Sequence, residues 1–194
     1  VGVDSFTFTA TDPAGKVSRE ATVTITILKP SDAAQYTDTI GRDCRFTAEW
    51  MRHSGIFVGE QPAGNACFSP DKAVTRGEFT AMLVKALDIP QEEELTLTGY
   101  DDETPQWLKP YLAAAVRSGL TAGLPEQEVF DADTPITGAE AAVMLQNALD
   151  LKVPVPEETE AAGEESSTLP VWAEASLKAL SHEGFTLDAA AALT

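Results

Sequence analysis

The chain has 194 residues, 31 acidic and 13 basic, for a formal charge of −18, and 43% of it is hydrophobic. That hydrophobic share is ordinary for a globular protein of one or two domains. The charge excludes nucleic acid and anionic membrane as general partners, since phosphate binding needs a basic face, and no apolar run approaches the roughly 20 residues that span a bilayer, so no membrane insertion is expected.

The chain opens on a strand pattern, with no signal peptide, and reads as part of a longer polypeptide. In "SFTFTA" Phe6, Phe8 and Ala10 share one face, and in "ATVTITI" Ala21, Val23, Ile25 and Ile27 oppose three threonines. "TDPAGK" between them supplies turn residues. The expectation is a β-hairpin with one buried face, over residues 1–30. A lone hairpin is marginal in water and needs a sheet to complete. Lys29-Pro30-Ser31-Asp32 reads as a linker.

From Tyr36 onward the sequence repeats. Thr75, Glu78, Phe79, Met82, Leu83, Ala86 and Leu87 recur 62 residues later as Thr137, Glu140, Ala141, Met144, Leu145, Ala148 and Leu149. The apolar members fall at i, i+3, i+4, i+7 and i+8, which predicts one buried helical stripe. Thr75-x-x-Glu78 and Thr137-x-x-Glu140 are capping boxes, which start those helices. The helices should stop near Asp88 and Asp150, with prolines following.

Each unit also has an earlier helix, predicted from about Trp107 to Ser118 and from about Trp172 to Glu183. Gly119 and Gly184 follow as left-handed C-caps. In the first unit the helix ends before Gly55, and Phe46 and Trp50 are expected to build its buried stripe. The units run over residues 36–90, 100–152 and 169–194, and the third breaks off before its second helix. Residues 153–168, "VPVPEETEAAGEESST", read as an acidic solvated linker.

Two resemblances follow from these residues. "DSFTFTATDPAG…ATVTITI" is similar to the last two strands of a bacterial immunoglobulin-like or cadherin-like repeat. Some cadherin-like repeats bind calcium, which directs attention to Asp12, although a turn aspartate is the simpler reading. "YTD…GIFVG…FSPDKAVTRGE", "YDDETPQW…SGLTAG…FDADTPITGAE" and "LPVW…HEGF…LT" together resemble the S-layer homology, or SLH, domain.

The second resemblance implies a mainly α fold of two and a half helix-loop-helix repeats, packed as a pseudo-threefold bundle behind the β-hairpin of an immunoglobulin-like sandwich. It also implies a job: non-covalent anchoring of a secreted protein to wall polysaccharide at the extracellular cell surface. In that family the polymer often carries pyruvyl ketals, and it sits in grooves between units.

On that reading Arg76 is the principal contact. It opens a helix beside free backbone N–H groups, where an anion is favoured, and its fork fits a carboxylate. Asp38 and Asp102 match the family's aspartate, and Trp107 and Trp172 could offer an apolar face to a sugar ring. Each has a structural alternative: an ion pair for Arg76, a turn or cap for the aspartates, the core for the tryptophans. Gly138 stands where Arg76 would recur, so the second groove lacks its fork.

An extracellular location favours a disulfide between Cys44 and Cys67 over two buried thiols. Closing that loop would stabilise by on the order of 3 kcal/mol. With only His53 and His182 beside the cysteines, no metal site and no cofactor are expected. No Gly-x-Ser-x-Gly, His-Glu-x-x-His or phosphate loop occurs, and the carboxylates lie mostly in linkers and caps, so the chain reads as non-catalytic. Two other readings stand behind anchoring: a degenerate array making protein–protein contacts in a surface layer, and an accessory part of a glycan-active enzyme.

Overall fold

Three glycines set the frame of the helical part. Gly55, Gly119 and Gly184 all adopt positive φ, at 71°, 78° and 87°. The residue after each donates its amide five residues back: Ile56 to Met51, Leu120 to Ala115 and Phe185 to Leu180. This closes each preceding helix in the left-handed cap expected of glycine.

The structure, a computed structural model, describes residues 2–27, 36–57, 59, 66–91, 98–100, 104–125, 128–152 and 169–194. The expected linkers at 29–32 and 153–168, and Asp102, lie outside the described residues. The described elements are strands β1 (Gly2–Phe8) and β2 (Ala21–Ile27), then helices α1 (Arg45–His53), α2 (Arg76–Ala86), α3 (Lys109–Arg117), α4 (Gly138–Ala148) and α5 (Val171–His182). The chain is mainly helical with one small hairpin. Among the described residues no helix is long and apolar enough to cross a membrane.

β1 and β2 pair antiparallel, with Phe6 opposite Val23 and Phe8 opposite Ala21. The expected buried face is not buried. Phe6, Phe8 and Ile25 are exposed, because no described layer stacks on a two-stranded ribbon. Asp12 is a turn residue, its Oδ1 accepting from the amides of Ala14 (2.9 Å) and Lys16 (2.8 Å).

α2 and α4 begin as their sequences predict. Thr75 and Thr137 accept from the amides of Glu78 and Glu140, whose carboxylates accept from the threonine amides in return. The same two helices end on Asp88 and Asp150, at φ 52° and 49°, in the region aspartate tolerates better than most residues.

The predicted stripe of α2 is corrected. Its buried residues are Gly77, Thr80, Ala81, Leu83 and Val84, whereas Ala86 and Leu87 are exposed. Contact is centred on small residues, which let helices approach closely. α4 is buried all round from Gly138 to Met144. One side meets Ala173, Leu177 and Leu180 of α5, and the other meets Leu83 and Val84 of α2 with Ala114 and Ala115 of α3. α3 starts two residues later than expected. A turn through Pro105 precedes it, with the Leu108 amide bonded to the Pro105 carbonyl, and leaves Trp107 outside the helix and exposed.

Phe46 and Trp50 do not form a buried stripe. They are 76% and 59% exposed. α1 turns Ala48 inward instead, and residues two positions away lie about 200° round the helix from it.

The segments leading into the second-helix positions meet in a closed ring. Ile136 donates to the Val74 carbonyl (2.9 Å), Leu193 to that of Ile136 (3.1 Å), and Val74 to that of Leu193 (2.8 Å). Each unit contributes one residue and is bonded to both others.

Candidate functional site

The first turn of α2 is not an open anion site. The amides of Arg76 and Gly77 donate to the carbonyls of Thr134 and Ala132, both 2.9 Å away. The Glu78 amide goes to Thr75 Oγ1 and the Phe79 amide to the Thr75 carbonyl. The free N–H groups expected there are therefore occupied by the second unit and by the cap. At α4 the Gly138 and Ala139 amides are taken in the same way by Ala191 and Ala189 of the third unit.

Arg76 crosses to the second unit. Its Nε lies 3.0 Å and its Nη2 2.8 Å from Glu140 Oε1, and Nη1 donates to the Phe130 carbonyl at 2.8 Å. The arginine and glutamate side chains are 16% and 10% exposed. Glu140 divides its oxygens: Oε1 receives Arg76, and Oε2 accepts from the amide (2.9 Å) and hydroxyl (3.0 Å) of Thr137. A residue needed to cap α4 thus also holds α2. Nε and Nη1 donate hydrogen bonds, and Nη2 adds an ion-pair contact to the same Glu140 oxygen.

The pair lines a shallow surface depression, whose described lining is completed by Tyr100, Leu124, Pro125 and Phe130. Tyr100 and Phe130 pack with ring centroids 5.2 Å apart. The first unit holds the corresponding pair, Tyr36 and Phe68, at 5.5 Å. There Tyr36 is fully buried, beneath the Arg52 guanidinium 5.1 Å from its ring centroid. Burial pushes its phenol up, against the opposing effect of Arg52.

Of the described residues expected to contact sugar, only Arg76 lines this cleft, joined by the capping residue Glu140. Trp107 and Trp172 are exposed but lie outside its lining. Asp38 fastens a loop, its Oδ1 accepting from the Phe68 amide (2.9 Å) and its Oδ2 from the Ser69 amide (2.6 Å). Ser69 is itself at φ 60°. Cys44 and Cys67 are free thiols, so the expected bridge is not formed. Cys44 stands at the N-cap position of α1 without a side-chain capping bond, while Cys67 Sγ lies 3.8 Å from Thr37 Oγ1. The residues missed were Tyr100, Phe130, Leu124, Pro125 and the second role of Glu140. Recurrence of the Tyr36–Phe68 pair as Tyr100–Phe130 was the available signal.

Gly138, the counterpart of Arg76, has a steric cause. A Cβ there would lie 2.8 Å from the Asp188 carbonyl carbon and closer still to its oxygen. The third unit's backbone fills the space an arginine would need.

The Asp38 contacts give a pH prediction. Desolvation opposes ionisation of this carboxyl, but the Phe68, Ser69 and Asp38 amides together with Arg42 outweigh it and hold the group below the usual range. Asp71 is also lowered, by its hydrogen bonds from Arg42. A carboxyl with a lowered folded value stabilises the fold above its unfolded value, near 3.9, and that contribution is lost as pH falls through the folded value. The urea midpoint should therefore fall between about pH 5 and about pH 3. Asp38→Asn should flatten part of that slope while lowering the midpoint at neutral pH.

Residues 100–142 match the model of the S-layer homology domain family. That stretch contains five of the six described cleft residues, all but Arg76. Over 106 residues the chain is 29% identical to a surface layer protein of Brevibacillus choshinensis, an alignment covering 53% of this chain and 9% of that protein.

Proposed function

We propose that this chain anchors its parent polypeptide non-covalently to the cell envelope by binding wall polysaccharide, at the extracellular surface. The observation that carries the reading is the cleft of Arg76, Tyr100, Phe130 and Glu140. It lies at the junction of the first two units and almost wholly inside the S-layer homology match. The partly exposed Tyr100 ring, backed by the buried Phe130 and set beside a few fixed polar groups, suits a sugar ring. The relative's description as a surface layer protein supports the same location. In this reading the Val74–Ile136–Leu193 ring is the pseudo-threefold axis of three S-layer homology units, and the hairpin belongs to a preceding immunoglobulin-like domain. Asp38, Trp107 and Trp172 would then flank the array outside its main cleft.

The test is co-sedimentation with purified sacculi, before and after chemical extraction of wall polysaccharide. Wild-type protein should bind only the unextracted material. Tyr100→Ala and Arg76→Ala, compared at equal folded fraction, should each lose about tenfold in affinity or more, equivalent to about 1.4 kcal/mol. Equal binding to extracted sacculi would overturn the reading. A second reading, protein contacts within a surface layer, is favoured by Phe46 and Trp50, which stand exposed one turn apart on α1. Binding that survives extraction but is lost in Trp50→Ala would select it.

A further inference from the structure

We draw no further inference here: the strongest candidate, the exposed surface patch of Phe46 and Trp50 on α1, carries nothing, because no described residue shows what covers it.

Discussion

Arg76→Ala is expected to destabilise the fold by about 2–4 kcal/mol, most of it from what is left behind. Glu140 Oε1 would lose both guanidinium contacts and the Phe130 carbonyl its donor, at side chains only 16% and 10% exposed. Exposed ion pairs contribute about 0–1 kcal/mol, so burial decides the size. The measurement is the urea midpoint followed by far-ultraviolet circular dichroism. Two comparisons give it content. Raising salt should change the wild-type midpoint little through this pair, because it is shielded from solvent ions. Arg76→Met with Glu140→Gln should recover part of the loss, since removing both charges leaves no orphan. If the single substitution costs no more than an exposed pair would, the arginine does not fasten the two units.

Gly138→Ala is expected to cost more, about 3–5 kcal/mol, combining overpacking with strained hydrogen bonds. Inside an open helix the same change would stabilise by about 1 kcal/mol, so the sign itself is the test. The new methyl would collide with the Asp188 carbonyl, which is backbone and cannot rotate away. Clearing it would pull the third unit from α4 and stretch the bonds from the Gly138 and Ala139 amides to Ala191 and Ala189. Gly77→Ala is the control. Its Cβ would lie 2.9 Å from Leu108 Cδ2 and 3.1 Å from the Ala132 carbonyl oxygen. The nearer obstacle there is the tip of a flexible side chain, so the cost should be smaller. Both midpoints come from the same urea titration, and a stabilised Gly138→Ala would refute the steric account.

These two residues also mark what a sequence reader could see. The capping boxes at Thr75 and Thr137 and the glycine ends at Gly55, Gly119 and Gly184 are local. Their hydrogen bonds close within about six residues, so the residue types suffice. The partner of Arg76 lies 64 residues away in another unit, and no pattern inside one unit contains it. Glu140 was legible as a cap but not as a clamp, because one oxygen does each task. Gly138 looked like a lost ligand contact, whereas its cause is the path of a backbone from elsewhere in the chain. The stripe predicted on α2 failed for a related reason. Hydrophobic period marks one face, whereas the contact surface follows side-chain size, through Gly77, Thr80 and Ala81. The aromatic character of Phe46 and Trp50 predicts burial, but Ala48 faces the interior.

The triangle of Val74, Ile136 and Leu193 has a consequence for how the molecule comes apart. Every corner donates a hydrogen bond from its amide to one neighbour and accepts one at its carbonyl from the other, so detaching any corner leaves an unmatched donor and an unmatched acceptor on the two that remain. Residues far apart along the chain are thereby made a single melting unit, and a break at one of them is felt at all three.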